Sequence, residues 1–252
     1  MRMFALPAAF VLSLCLYLPL PRAQETIFSL LRRLHARFLP RLRSERRALL
    51  AFVLAVFALS ALLCAVHPIV CCLLMVPLFA YGAVFPHCAA VKSELDSGKY
   101  ARDIPAYESL VRSTCLKVAP AFVLGAVAPM LLCAAGIVLH MGCAPAWAFC
   151  ALLAVDADQS PLGRIPAQAE RISDRLLSAL MVLCSGVVGR SPLRTSGEDA
   201  VSRMMNTIGI AGDGTDTHAP MAGDISQAAF LCCFCCGLLL FTLTAVGFVL
   251  CG

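Results

Sequence analysis

The sequence predicts an all-α fold: a polytopic helical membrane protein with about five to six transmembrane helices and helical loops gathered on one side. Three observations predict it. The chain is 60% hydrophobic and only 14% charged, whereas an ordinary soluble domain is about 45–50% apolar and about 25% charged. Several apolar runs are as long as a bilayer crossing requires. Almost all the charge sits in three blocks, residues 21–47, 86–117 and 156–226, while the remaining links are as short as His67-Pro68 and His140–Pro145. Residues 1–252 read as a single integral-membrane domain.

Six apolar runs define the elements: Met3–Leu20, Ala48–Val66, Ile69–Phe85, Val118–Leu139, Met141–Val155 and Ala228–Cys251. A helix needs roughly 20 residues, and no fewer than about 17, to cross the hydrocarbon core. Met141–Val155 is short by itself, but it follows a full span after a tight turn and completes a helical hairpin. Leu176–Val188 is too short to span and reads as an interfacial or re-entrant helix. Met3–Leu20 has two readings. It is a span, or a signal peptide with Arg2 ahead of it and Pro21-Arg22-Ala23 behind. The span is favoured, because a cleaved signal would export the most basic segment of the chain.

That segment holds eight arginines (Arg22, Arg32, Arg33, Arg37, Arg41, Arg43, Arg46 and Arg47) against Glu25 and Glu45. Basic residues beside spans favour the cytoplasm. With residues 21–47 inside, two out-and-back pairs of spans place 86–117 and 156–226 inside as well. The expected location is a bacterial inner membrane with all large loops cytoplasmic. The arginines surround Ile27, Leu30, Leu31, Leu34 and Phe38, the pattern of an amphipathic helix lying on the membrane. Their partner is the lipid bilayer with its anionic headgroups, and no nucleic-acid partner is expected.

The 15 cysteines lie mostly within apolar runs. Cys232, Cys233, Cys235 and Cys236 have no acidic residue or histidine beside them and read as small packing residues. His140 and Cys143 have ligand-like spacing, but two groups do not make a metal site. His67 and His87 read as interfacial.

Within 86–117, the order Lys92–Asp96, Gly98 and Tyr107–Leu110 predicts a short helix, a glycine stop and a second helix, with charges that nearly cancel as in ion-paired surface helices. Block three opens on Asp156 and Asp158. Two carboxylates at this spacing suit a hard cation such as Mg²⁺, although solvated loop acids explain them equally. Arg164, Arg171 and Arg175 face either phosphate or lipid. Gly209–Gly214 is glycine-rich but lacks the Lys-Ser/Thr of a phosphate loop and reads as a linker.

The inner loops resemble the cobinamide-phosphate synthase family of cobalamin biosynthesis, an integral-membrane family. Leu95-Asp96-Ser97-Gly98, Ala101-Arg102, Glu108-Ser109-Leu110 and Ala119-Pro120 fall in the order of its second loop. Phe149–Asp156 is similar to its Y-R-A-x-N-T-L-D segment, keeping Ala151 and Asp156. Ser173-Asp174-Arg175-Leu176 resembles its P-A-R-L, and Gly223-Asp224-Ile225 precedes the last span as in the family. Other family residues have no counterpart, among them the A-E-N and D-G residues near Val111–Lys117 and the Asn-Thr of N-T-L-D.

The resemblance implies ATP-dependent, ligase-like amide formation between a corrinoid carboxylate and aminopropanol or its phosphate, with Mg²⁺ and ATP as cofactors. It casts Glu108, Asp156 and Arg175 as catalytic and Arg102 as an anion contact. Arg164 joins Arg102 at phosphate, and Asp158 joins Asp156 at the metal, on spacing alone. The corrinoid and other cobalamin-pathway proteins are the implied partners. One alternative is a family-like membrane protein without catalysis, with a partner or signalling role. A small transporter subunit ranks last, because the spans hold almost no ionisable residues.

Overall fold

The computed structural model describes residues 4–17, 23–38, 45–100, 103–155, 164–184, 199–210 and 218–251. These residues are helical, with no strand among them. In chain order the helices are α1 (Ala5–Tyr17), α2 (Ala23–Phe38), α3 (Glu45–Val66), α4 (Pro68–Met75), α5 (Val84–Asp96), α6 (Ile104–Phe122), α7 (Ala128–Val138), α8 (Ala144–Ala154), α9 (Arg164–Cys184), α10 (Ala200–Ile208) and α11 (Ala222–Cys251).

Four stretches are long and apolar enough to cross a membrane: Arg47–Val66, Pro68–Asp96, Ile104–Val138 and Ala222–Val249. Ala5–Leu16 and Ala144–Ala154 are apolar but shorter. The bundle leaves large apolar side chains on its surface, including Leu54, Leu59 and Leu62 of α3 and Phe241 and Val249 of α11. Such a surface is consistent with a membrane protein, because lipid removes the cost of exposing it.

Two stretches differ from a simple span. Pro68–Asp96 is broken in its middle by 3₁₀ turns at Val76–Leu78 and Ala80–Ala83. Opposite them, α6 passes into α7 through a π-helical turn, Val123–Val127. Irregular backbone at membrane depth is tolerated where protein covers it, and Phe79, Ala80 and Tyr81 are buried. Tyr81 fixes the junction. Its hydroxyl donates to the Phe10 carbonyl at 2.8 Å, and its ring stacks on Phe10 at 4.3 Å. Helix α1 thereby becomes part of the core, contributing Leu6, Ala9 and Phe10.

The second polar block is mostly helix. α5 ends at Asp96, the chain turns at Gly98 (φ +77°), and Asp103 caps α6 by accepting the Ala106 N–H at 3.1 Å. Lys99 and Glu94 pair at 2.6 Å on the surface, the arrangement expected of this near-neutral block and one that adds little stability. Helix α2 is amphipathic as expected, although only Leu31 of its leucines is buried while Leu30 and Leu34 are exposed.

The bundle has two unlike ends. At one, the turns after α3 and after α7 meet, and Phe4 contacts Phe248 at 4.9 Å. At the other, the second and third polar blocks are joined by hydrogen bonds. Arg32 of α2, in the first block, donates to the Ala154 carbonyl at the end of α8 at 2.7 Å.

Candidate functional site

The polar end is built around the first turns of α6. Tyr107 projects toward α11, where its hydroxyl oxygen accepts the Ala222 N–H at 3.0 Å. Arg112, a turn and a half later, donates to the Ile210 carbonyl just beyond α10 at 2.6 Å. Asp174 of α9 accepts the first N–H of α10, from Ala200, at 3.2 Å. Asp199 caps the same helix by accepting the Ser202 N–H at 2.7 Å. Helix starts leave backbone N–H groups without partners, and here side chains from neighbouring helices supply them.

His218 and Asp224 form a partly buried polar pair. Asp224 is the third residue of α11, and its Oδ2 accepts the Met221 N–H at 2.8 Å. This is the reciprocal half of a capping box, and a carboxylate there also faces the positive end of the helix dipole. Both carboxylate oxygens also face His218 Nε2, at 3.0 and 3.1 Å. The Asp224 side chain is 4% exposed and that of His218 is 29% exposed. An imidazole oriented by a buried carboxylate is the arrangement that general acid–base chemistry uses.

Of the six residues expected to be catalytic or to hold phosphate or metal, two have described side chains. Glu108 follows Tyr107 on α6 and is half-buried, and Arg175 follows Asp174 on α9 and is exposed. Neither forms a side-chain hydrogen bond or ion pair with the other, although α10 packs against both of their helices. Arg164 opens α9. Arg102, Asp156 and Asp158 lie outside the described residues, as does the glycine-rich stretch from Ala211 to Gly214.

Sequence reasoning passed over His218, which reads as part of a linker. The available signal was an acidic residue at the third position of a helix with a histidine six residues before it.

A cleft of ≈ 300 Å³ between α5 and α6 is lined by His87, Cys88, Thr114 and Lys117, and one of ≈ 380 Å³ between α5 and α11 by Phe85, Lys92 and Phe230. Both fall at the low end of the roughly 300–1,000 Å³ that holds a drug-sized ligand.

Burial pushes the Asp174 carboxyl above its ordinary range; the Ala200 hydrogen bond opposes the shift, and the charge of Asp199 adds to it. A carboxyl with a raised folded-state pKa favours the fold at low pH, and that contribution is lost as pH rises through the folded-state value. Asp174→Asn keeps an oxygen for the Ala200 N–H but carries no charge. It is expected to raise the apparent melting temperature modestly at neutral pH. The advantage should shrink as pH falls through the carboxyl range, as thermal scans across pH would show.

The chain matches no protein-family model, no curated protein and no solved structure.

Proposed function

We propose that this protein is a membrane-embedded component of cobalamin assembly, working at the cytoplasmic face of a bacterial inner membrane. Convergence carries the reading. Three segments that resemble synthase motifs, Glu108-Ser109-Leu110, Ser173–Leu176 and Gly223-Asp224-Ile225, are far apart in sequence. They lie on helices that meet at the polar end: Tyr107 of α6 bonds to Ala222 of α11, and Asp174 of α9 bonds to Ala200 of α10. α10 is tied back to α6 through Arg112 and Ile210, and α9 packs on α11.

The reaction class under this reading is amide ligation between a corrinoid carboxylate and an amino alcohol or its phosphate. ATP, when bound, would activate the carboxylate so that a C–O bond breaks and phosphate leaves as the C–N bond forms. The proton the amine gives up passes to His218, steadied by Asp224, the described residue suited to take it. Glu108 and Arg175 are polar contacts for substrate on the same reading. A corrinoid exceeds the two clefts, so it would be held over the open polar surface. The ATP and Mg²⁺ implied by the resemblance find no oxygen-ligand group among the described residues, whose one ligand cluster is made of thiols. Their binding is assigned to Asp156 and Asp158, with Arg102 and Arg164 toward phosphate.

A second reading, a partner or signalling protein without catalysis, is favoured by the engagement of Tyr107, Arg112 and Asp174 with the ends of neighbouring helices and of Asp224 in the cap of its own helix. Complementation of a strain lacking the synthase separates the two. Rescue by the wild-type chain, lost with Asp156→Ala and reduced at least about tenfold in growth-supporting activity with His218→Ala, supports the ligase. Absence of rescue by a wild-type chain shown to be inserted in the membrane leaves the partner role.

A further inference from the structure

Three cysteines that are remote in sequence meet at the end of the bundle opposite the polar blocks. Cys64 lies in the last turn of α3, Cys71 in the first turn of α4, and Cys143 in the turn before α8. Their Sγ atoms all lie within 4.8 Å of one another, with Cys64 and Cys143 3.4 Å apart. All three side chains are buried.

The local backbone is shaped to bring them together. His140 and Gly142 both adopt left-handed conformations, at φ +60° and +62°. The Met141 N–H closes the turn onto the Gly136 carbonyl at 2.7 Å. A Cβ on Gly142 would stand 2.5 Å from Cys64 Cβ and 2.8 Å from Cys64 Sγ, so glycine is required for Cys143 to reach its partners.

We propose that Cys64, Cys71 and Cys143 form a three-coordinate thiolate site for a soft monovalent metal ion, Cu(I). A metal–thiolate bond of about 2.3 Å places three ligands around a trigonal ion about 4 Å apart. That separation lies between the 3.4 Å from Cys64 to Cys143 and the 4.8 Å limit of the group. Thiolates select soft ions. Among the described residues the group has no fourth histidine, cysteine or carboxylate, which sets it apart from the four-ligand shell of structural zinc. The trio is separate from the polar end, so the site stands or falls independently of the function proposed there. Binding displaces thiol protons, so the apparent affinity for Cu(I) rises with pH.

The full chain, purified in detergent under reductant and without oxygen, is titrated with Cu(I) against a competing chelator, and its coordination is read by X-ray absorption. The expected result is one tightly held ion with sulfur-only, three-coordinate ligation. Cys64→Ser, Cys71→Ser and Cys143→Ser each weaken binding about tenfold or more, while Cys15→Ser leaves it unchanged. Cys143 sits in a constrained turn; if its variant does not fold, Cys64→Ser and Cys71→Ser decide the matter. The proposal is overturned if these variants bind as tightly as the wild type, which would place the ion on other cysteines. It is equally overturned if the protein holds no ion under these conditions, or if mapping of the isolated protein finds a Cys64–Cys143 disulfide.

Discussion

Asp224→Ala is expected to lower stability by roughly 2–3 kcal/mol, the upper part of the range for leaving buried hydrogen-bonding groups without their partner. The side chain is almost wholly enclosed and satisfies two groups at once, the Met221 N–H and the His218 ring. Its loss removes a helix cap, a favourable charge at the helix dipole, and the anchor of the segment that leads into α11. Asp224→Asn keeps an acceptor for Met221 but has no negative charge to face His218, so it should fall between alanine and wild type. Apparent melting temperatures of the three proteins in one detergent check the order. If Asp224→Ala melts with the wild type, the carboxylate is not what holds this end of α11.

Gly136→Ala is expected to cost about 3 kcal/mol, the upper end of ordinary overpacking. A Cβ there would lie 2.0 Å from the Gly142 carbonyl oxygen and 2.9 Å from Pro145 Cδ. The first is backbone and cannot rotate away. The hydrogen bond from Met141 to Gly136 would open, and Cys143 would withdraw from Cys64. Gly237→Ala is the matched control, because a Cβ at that position meets nothing within 4 Å. Parallel melts should show a large loss for the first variant and none for the second.

Much of this architecture was legible in the residues. The positions of the apolar runs located the four long apolar helical stretches, and arginines set around leucines marked α2. Gly98 marked the break between α5 and α6, whereas the cap at Asp103 is seen only in the structure. The boundary near Lys117 was misleading, because α6 begins at Ile104 and runs on through the π turn into α7. Composition changes where an apolar environment begins, whereas helical hydrogen bonding continues across that line as long as the backbone permits.

The contents of the two ends were harder to read. Tyr107 and Ala222 are separated by 115 positions, and Cys64 and Cys143 by 79. No local spacing signals a contact made only by packing. His140 and Cys143 looked like an incomplete pair because the partners of Cys143 come from α3 and α4. The resemblance to the synthase family pointed to Asp224 but not to His218, whose role depends on the chain folding back onto the start of α11.

The central claim is that every large polar segment lies on the cytoplasmic side, and sealed vesicles of both orientations test it directly. Protease sites are inserted one at a time beside Gly98, within residues 211–214, and beside His140. The account predicts that the first two are cut only where the cytoplasmic face is exposed and the third only from the opposite face. Cleavage of the Gly98 and 211–214 sites from opposite sides would contradict it.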